Sequence, residues 1–273
     1  MFKSLMLTIS DAIEKPFPKG MGIDGRYRIE KLLGSGGYGH SYLAFDMAEG
    51  RLVVVKTLRL HKRLSFSGRK SFRIEQVMMQ QTNDPGLPAY FRNGTHEGIP
   101  FFAMEYKYGK TVEQLIFEEG NSYTEREAFG IAMKLLLIMD YLHSNNIIHR
   151  DIRIPNILLH GEEVYLIDLG LARKAEKETG RFPQSSKLLR KAKNRQSDFY
   201  GLGHFLLFLL YSSYTPKEGQ PEKSWEEELH ISQEAKTILR RLLLIDSEYN
   251  DCGEIRRDIE KIICKGAIAN VIF

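Results

Sequence analysis

The stretch from Ile147 to Gly170 constrains the chain more than any other. Ile147-Ile148, Ile157-Leu158-Leu159 and Val164-Tyr165-Leu166-Ile167 are short apolar runs of the kind that form buried strands. Asp151 and Asn156 stand five positions apart in the loop between the first two runs. Asp168 ends the third run, just before Gly170. Three oxygen-bearing side chains at loop ends suit Mg²⁺, which takes carboxylate, carbonyl and phosphate oxygens. One aspartate can orient a hydroxyl while the other acid and the amide hold the metal. Taken singly, each acid also fits an ordinary turn or cap. The weight lies in what precedes them.

Residues 27 to 58 read as β-structure. Tyr27 to Leu32 alternates in part, Ser41 to Phe45 continues, and Leu52-Val53-Val54-Val55 is a β-branched run. Between the first two lies Gly34-Ser35-Gly36-Gly37-Tyr38-Gly39. A dinucleotide fingerprint needs a helix after such glycines, and here a strand follows. A strand–loop–strand glycine flap over nucleotide phosphates fits better, because a backbone without Cβ can approach the phosphates closely. A plain glycine-rich hairpin is the bland alternative. Lys56 ends the valine run and can reach phosphate oxygens. A buried lysine needs an acid, and Glu75, in a helix predicted over 71–81, can supply it.

The rest of the chain changes character. Pro100 to Tyr106 is a last strand-like run, and after Gly109 helical spacing takes over. Thr124-x-x-Glu127 is a capping box, and helices are predicted over 198–211, 232–244 and 252–263. A length of 273 residues, 42% of them apolar, allows one large domain or two lobes with sizeable cores. We therefore expect an α+β, bilobal protein with a β-rich first lobe over 23–106 and a helical second lobe over 107–273. Residues 1–22 form an extension, expected to be helical from the spacing of Phe2, Leu5, Met6, Ile9 and Ile13. Two cysteines imply no disulfide framework, and no apolar run approaches the ~20 residues of a membrane span. Both points favour a cytoplasmic protein.

In this order, the motifs resemble the eukaryotic-like (Hanks-type) protein kinases, and within them the small bacterial serine/threonine kinases. Beyond the glycine loop, VVVK and Glu75, the likeness runs through His149-Arg150-Asp151 and Asp168-Leu169-Gly170 to Ser197-Asp198-Phe199-Tyr200-Gly201. The resemblance implies a bilobal kinase fold and ATP-dependent phosphorylation of protein Ser/Thr hydroxyls. By the same resemblance Gly34, Gly36 and Gly39 cover the ATP phosphates, and Lys56 binds them while paired with Glu75. Met104 is the gatekeeper, the Glu105 carbonyl and Lys107 amide take adenine, and Leu158 is the pocket floor. Asp151 is the catalytic base, helped by Arg153. Asn156 and Asp168 hold Mg²⁺, or Mn²⁺ in its place, and Asp198 braces the catalytic loop. The rival functions are a small-molecule phosphotransferase and a nucleotide-binding pseudokinase or scaffold.

Four departures from the family pattern stand out. Ser41 and Val54 replace the usual Val and Ala over the adenine. Arg153 replaces a lysine two residues after Asp151. No Ala-Pro-Glu occurs between Asp168 and Asp198, and Asn250 stands where its arginine partner is expected. Loss of both halves together avoids an orphaned buried charge and implies a rebuilt substrate platform. The fourth departure is charge. Residues 173–195 carry nine of the 39 Lys/Arg and two of the 35 acids, so the +4 balance comes from this stretch. It attracts acidic protein substrates, or receives phosphate on Thr179, Ser185 or Ser186 by autophosphorylation. With only Phe182 as an interleaved aromatic, it is a poor nucleic-acid footprint.

Overall fold

A computed structural model of the chain describes residues 14–36, 39–176, 189, 192–215 and 223–269. It divides into two units, one running to Lys107 and the other starting at Tyr108.

The first unit is built on β1 (Gly22–Ile23), β2 (Tyr27–Ser35), β3 (Gly39–Asp46), β4 (Arg51–Leu58), β5 (Tyr90–His96) and β6 (Ile99–Glu105). They form one antiparallel sheet in the spatial order β1-β2-β3-β4-β6-β5. The valine run occupies the middle of β4, which has β3 on one side and β6 on the other. Side chains alternate between faces of a strand. Val53 and Val55 therefore enter one core with Tyr27, Ile29, Tyr42, Phe101 and Ala103, all buried. Val54 and Lys56 take the opposite face. Between β4 and β5 the chain forms α1 (Leu60–Arg63) and α2 (Phe66–Gln80). Ser65 caps α2 by accepting the Gly68 N–H. The helix predicted over 71–81 is thus one turn and more longer at its start.

The second unit holds β7 (Lys110–Thr111), α3 (Val112–Phe117), α4 (Glu125–Ser144), β8 (Ile147–Ile148), β9 (Ile157–His160), β10 (Glu163–Leu166), β11 (Arg173–Lys174), α5 (Arg195–Tyr211), α6 (Trp225–Glu228), α7 (Gln233–Leu242) and α8 (Cys252–Ala269). The Thr124–Glu127 box starts α4: the Glu127 N–H donates to Thr124 Oγ1, and the Thr124 N–H donates to Glu127 Oε2. α5 is apolar around much of its circumference, as a central helix must be. Asp198, Phe199, Leu202, Phe205, Leu206 and Leu209 are all buried. A Cβ at Gly201 would lie 2.9 Å from Ile152 Cβ, so only glycine lets the 149–153 loop rest on this helix.

Of the extension expected over 1–22, the structure describes residues 14–22. Residues 14–21 carry no helix, and Phe2, Leu5, Met6, Ile9 and Ile13 lie outside the described residues. Among the described residues, no helix is long and apolar enough to cross a membrane.

Candidate active site

In the first unit, the alternation of β4 delivers Lys56 to the face covered by α2. There Lys56 Nζ lies 2.6 Å from Glu75 Oε1. The two side chains are 9% and 4% exposed, so each neutralises the other in a largely dry setting. The glycine loop leaves β2 at Ser35 and rejoins β3 at Gly39, and the Gly36 N–H donates to Gly39 O at 3.0 Å. The three glycines are not alike. A Cβ at Gly39 would meet Thr57 O at 2.4 Å, so β4 itself demands glycine there. Among the described residues, a Cβ at Gly34 meets nothing within 4 Å, and one at Gly36 only Gly39 O at 4.0 Å. Among the described residues, packing does not require glycine at these two positions. Met104 is buried opposite Val54. At the end of β6, Glu105 accepts the Ala89 N–H at 3.1 Å and pairs with Lys107 at 2.8 Å.

In the second unit, the loop after β8 gathers Asp151, Arg153 and Asn156. Asn156 Nδ2 donates to Asp151 Oδ2 at 2.7 Å and to Asp151 O at 3.0 Å. Arg153 Nε is 3.3 Å from Asp151 Oδ1. One aspartate is thus held from both carboxylate oxygens. Asp168 follows directly after the residue whose N–H donates to Asn156 O, the Ile167 amide at 2.8 Å. Asp168 has φ +66°, and its Oδ1 accepts the Gly170 N–H at 3.0 Å. Its short acceptor side chain is what makes this left-handed position tolerable without glycine. Leu158 is buried in β9, paired with Tyr165 and Thr111.

The loop is anchored from below by α5. Asp198 Oδ2 accepts the His149 N–H at 2.9 Å, and Asp198 Oδ1 accepts that of Arg150 at 2.6 Å. His143 Nε2 lies 2.9 Å from Asp198 Oδ2. Burial alone would raise the Asp198 pKa, but the hydrogen bond and charge of His143, with the Arg150 amide, bring it below the ordinary carboxylate value. Burial lowers the His149 pKa, which Asp198, Asp151 and Asp168 only partly offset. Arg150 has φ +68°, and its guanidinium donates to Leu171 O and Ala192 O, both at 3.1 Å.

Asp168 and Asn156 offer a carboxylate and an amide oxygen, the hard donors Mg²⁺ prefers. An amide that donates through Nδ2 has Oδ1 as its acceptor. Among the described residues, no three His, Cys, Asp or Glu side chains cluster into a cage sufficient by itself. The donor set fits an ion that shares its coordination with bound phosphate.

With this geometry in place, comparison with known proteins is decisive. The protein kinase domain family matches residues 27–265. The chain belongs to the protein kinase family. It is 34% identical over 250 residues to the probable serine/threonine-protein kinase YbdM of Bacillus subtilis, covering 92% of this chain and 94% of that one. It is 28% identical to the serine/threonine-protein kinases PrkC of the same organism and PknB of Mycobacterium tuberculosis, over 74% and 88% of this chain. The chain spans 32% and 43% of those two relatives. The solved kinase domain of M. tuberculosis PknI superposes with a TM-score of 0.69, over 90% of this chain and 99% of that one, at 19% identity. That likeness is one of fold: a strand-rich first lobe and a helical second.

The kinase also contains a cluster that the sequence motifs do not point to. Arg241 of α7 bonds Asp258 at 3.2 Å and Glu254 at 3.1 Å, with its guanidinium 3.6 Å from the centre of the Tyr249 ring. Asn250 Nδ2 donates to Glu254 Oε1 at 2.8 Å. The residues around Asn250 are thus tied to α7 and α8 by a network of their own. The only sequence signal was the missing arginine. Behind Asp198, the buried Cys252 Sγ sits 3.6 Å from His143 Nδ1, and burial raises its thiol pKa far above the ordinary value. A thiol held protonated in this way is packing, not a nucleophile.

Proposed function

We propose that this serine/threonine kinase transfers the γ-phosphate of ATP to hydroxyls of protein substrates, itself included, using the residues gathered above. The buried Lys56–Glu75 pair at 2.6 Å carries this reading. A lysine has three N–H donors. With one fixed on Glu75, the ammonium is oriented and its remaining positive field serves the α- and β-phosphates. Gly34 and Gly36, lacking Cβ, let those phosphates approach the backbone. Met104, the Glu105 carbonyl, the Lys107 amide and Leu158 take the adenine.

Asp151 accepts the proton of the attacking hydroxyl. The new bond forms between that oxygen and the γ-phosphorus as the bond to the β,γ-bridging oxygen breaks and ADP leaves. Asn156 and Arg153 hold the Asp151 carboxylate against rotation, and Arg153 also places a cation beside the transferring group. Protein kinases use ATP with a divalent metal, and we assign that ion as Mg²⁺, held by Asp168 and Asn156. When bound, it supplies positive charge to the phosphate oxygens. A preference for acidic substrates belongs to the same proposal and rests on the charge of residues 173–195. The acceptors Thr179, Ser185 and Ser186 lie outside the described residues. A cytoplasmic location is also part of it, supported by two cysteines that are both free thiols.

Transfer of labelled phosphate from ATP, measured for the wild type and for Asp168→Ala across Mg²⁺ concentrations, tests the assignment. Transfer should need Mg²⁺ and vanish in the variant. Undiminished transfer by Asp168→Ala would overturn the metal assignment.

A further inference from the structure

Residues 14–21 precede the stretch that matches the kinase family, which begins at Tyr27. They are nonetheless tied to the first unit along their length. The Gly20 N–H donates to Ile29 O at 2.7 Å, and the Ile29 N–H donates to Met21 O at 2.9 Å. The Phe17 ring stacks on Tyr42 with centroids 5.5 Å apart, and its N–H donates to the Tyr42 hydroxyl at 3.1 Å. Phe17 and Met21 pack against the core cluster.

Glu14 ends this strap on α1. Its Oε2 accepts the Leu60 N–H at 2.7 Å, its Oε1 accepts from Arg63 Nη2 at 3.1 Å, and Arg59 Nε is 3.8 Å from Oε2. The Glu14 and Arg59 side chains are only 12% and 6% exposed. α1 has four residues, buries none of them, and has no side-chain cap of its own. So short a helix is not stable alone. Glu14 supplies an acceptor for its first N–H and a negative charge beside Arg59 and Arg63.

α1 bears directly on α2. A Cβ at Gly68 would lie 2.5 Å from Lys62 O and 2.8 Å from Lys62 Cα. The two backbones are in contact, so a shift of α1 moves the first turn of α2. Glu75 lies seven residues after Gly68, two turns further on the same face of that rigid helix. We propose that Glu14 is a positioning residue for phosphoryl transfer: by fixing α1, and through it α2, it holds Glu75 on Lys56. This rests on the reading that the Lys56–Glu75 pair serves ATP.

The test is a double-mutant cycle on the full chain with Glu14→Gln and Glu75→Gln. It reads kcat and KM for ATP by labelled transfer, with urea midpoints to check folding. Glu14→Gln alone should lower kcat/KM roughly tenfold, the scale of one charge-assisted hydrogen bond. In the Glu75→Gln background it should change kcat/KM by about twofold or less, because the contact it acts through is already gone. A tenfold loss in both backgrounds, or none in either, overturns the inference. Full activity of Glu75→Gln alone overturns instead the reading of the pair. Should Glu14→Gln fail to fold, Arg63→Gln breaks the same contact from the other side and must show the same non-additivity.

Discussion

Asp198 Oδ1 accepts the backbone N–H of Arg150 at 2.6 Å, across 48 residues of sequence. With the His149 N–H and His143 on its other oxygen, Asp198 fixes the start of the loop that presents Asp151. Truncation to Asp198→Ala leaves these groups buried without their acceptor. A loss of about 3–5 kcal/mol in unfolding free energy is expected from urea titration. A loss under about 1 kcal/mol would show that the loop is held by something else.

The same cluster sets an acid limit. The folded pKa of Asp198 is depressed, so its contribution is full above the unfolded carboxylate value near pH 4 and lost as pH falls through the folded value. His149 is a base whose folded pKa is also depressed, by burial. Its unfolded form takes up a proton below about pH 6.5 while the folded form resists. Both signs agree. The urea midpoint should fall from pH 7.5 to 5.0, with the first decline setting in near pH 6.5. A midpoint that stays flat over that interval would contradict the account of His149.

Lys56→Met should separate stability from activity. It takes the ion-pair partner from a buried carboxylate, costing about 3–5 kcal/mol, and removes the charge proposed to serve the phosphates, costing roughly 10²–10³ in rate. The double variant Lys56→Met/Glu75→Gln should recover most of the stability and none of the transfer. Recovery of both would mean that the pair is only structural.

Gly39 and Gly34 should respond differently to alanine. At Gly39 the new methyl meets the Thr57 carbonyl of a central strand, and a cost of about 1–3 kcal/mol is expected. At Gly34 a methyl meets nothing among the described residues, and stability should change by no more than about 0.5 kcal/mol while the KM for ATP rises. Thermal unfolding and ATP titration of the two variants distinguish these outcomes. Equal destabilisation would contradict the packing difference.

Period and capping carry much of the fold in the sequence itself. Val53–Val55 marks β4, Thr124 and Glu127 mark the start of α4, and the apolar run after Asp198 marks α5. The predicted pairing of a lysine at a strand's end with a helix acid corresponds to the 2.6 Å contact of Lys56 and Glu75. What the sequence hides is set by partners far along the chain. β5 lacks alternation, is nowhere fully buried, and pairs with β6 through an irregular register. Glu14 is one acid among 35 until α1, 46 residues later, lies beside it. Gly39 reads as a phosphate glycine, yet the Thr57 carbonyl also requires it. Arg241 reads as a surface arginine of an amphipathic helix until Tyr249, Glu254 and Asp258 close around it.

The central claim is that Asp151, held by Asn156 and Arg153, accepts the hydroxyl proton as phosphate moves to protein. Labelled-ATP transfer by the wild type and by Asp151→Asn, with ATP affinity measured in parallel, tests it most directly. Wild type should label protein. Asp151→Asn should bind ATP with unchanged affinity and label it roughly 10²–10⁴-fold more slowly. Labelling by Asp151→Asn at the wild-type rate, or ATP binding by the wild type with no labelling of any protein, would contradict it.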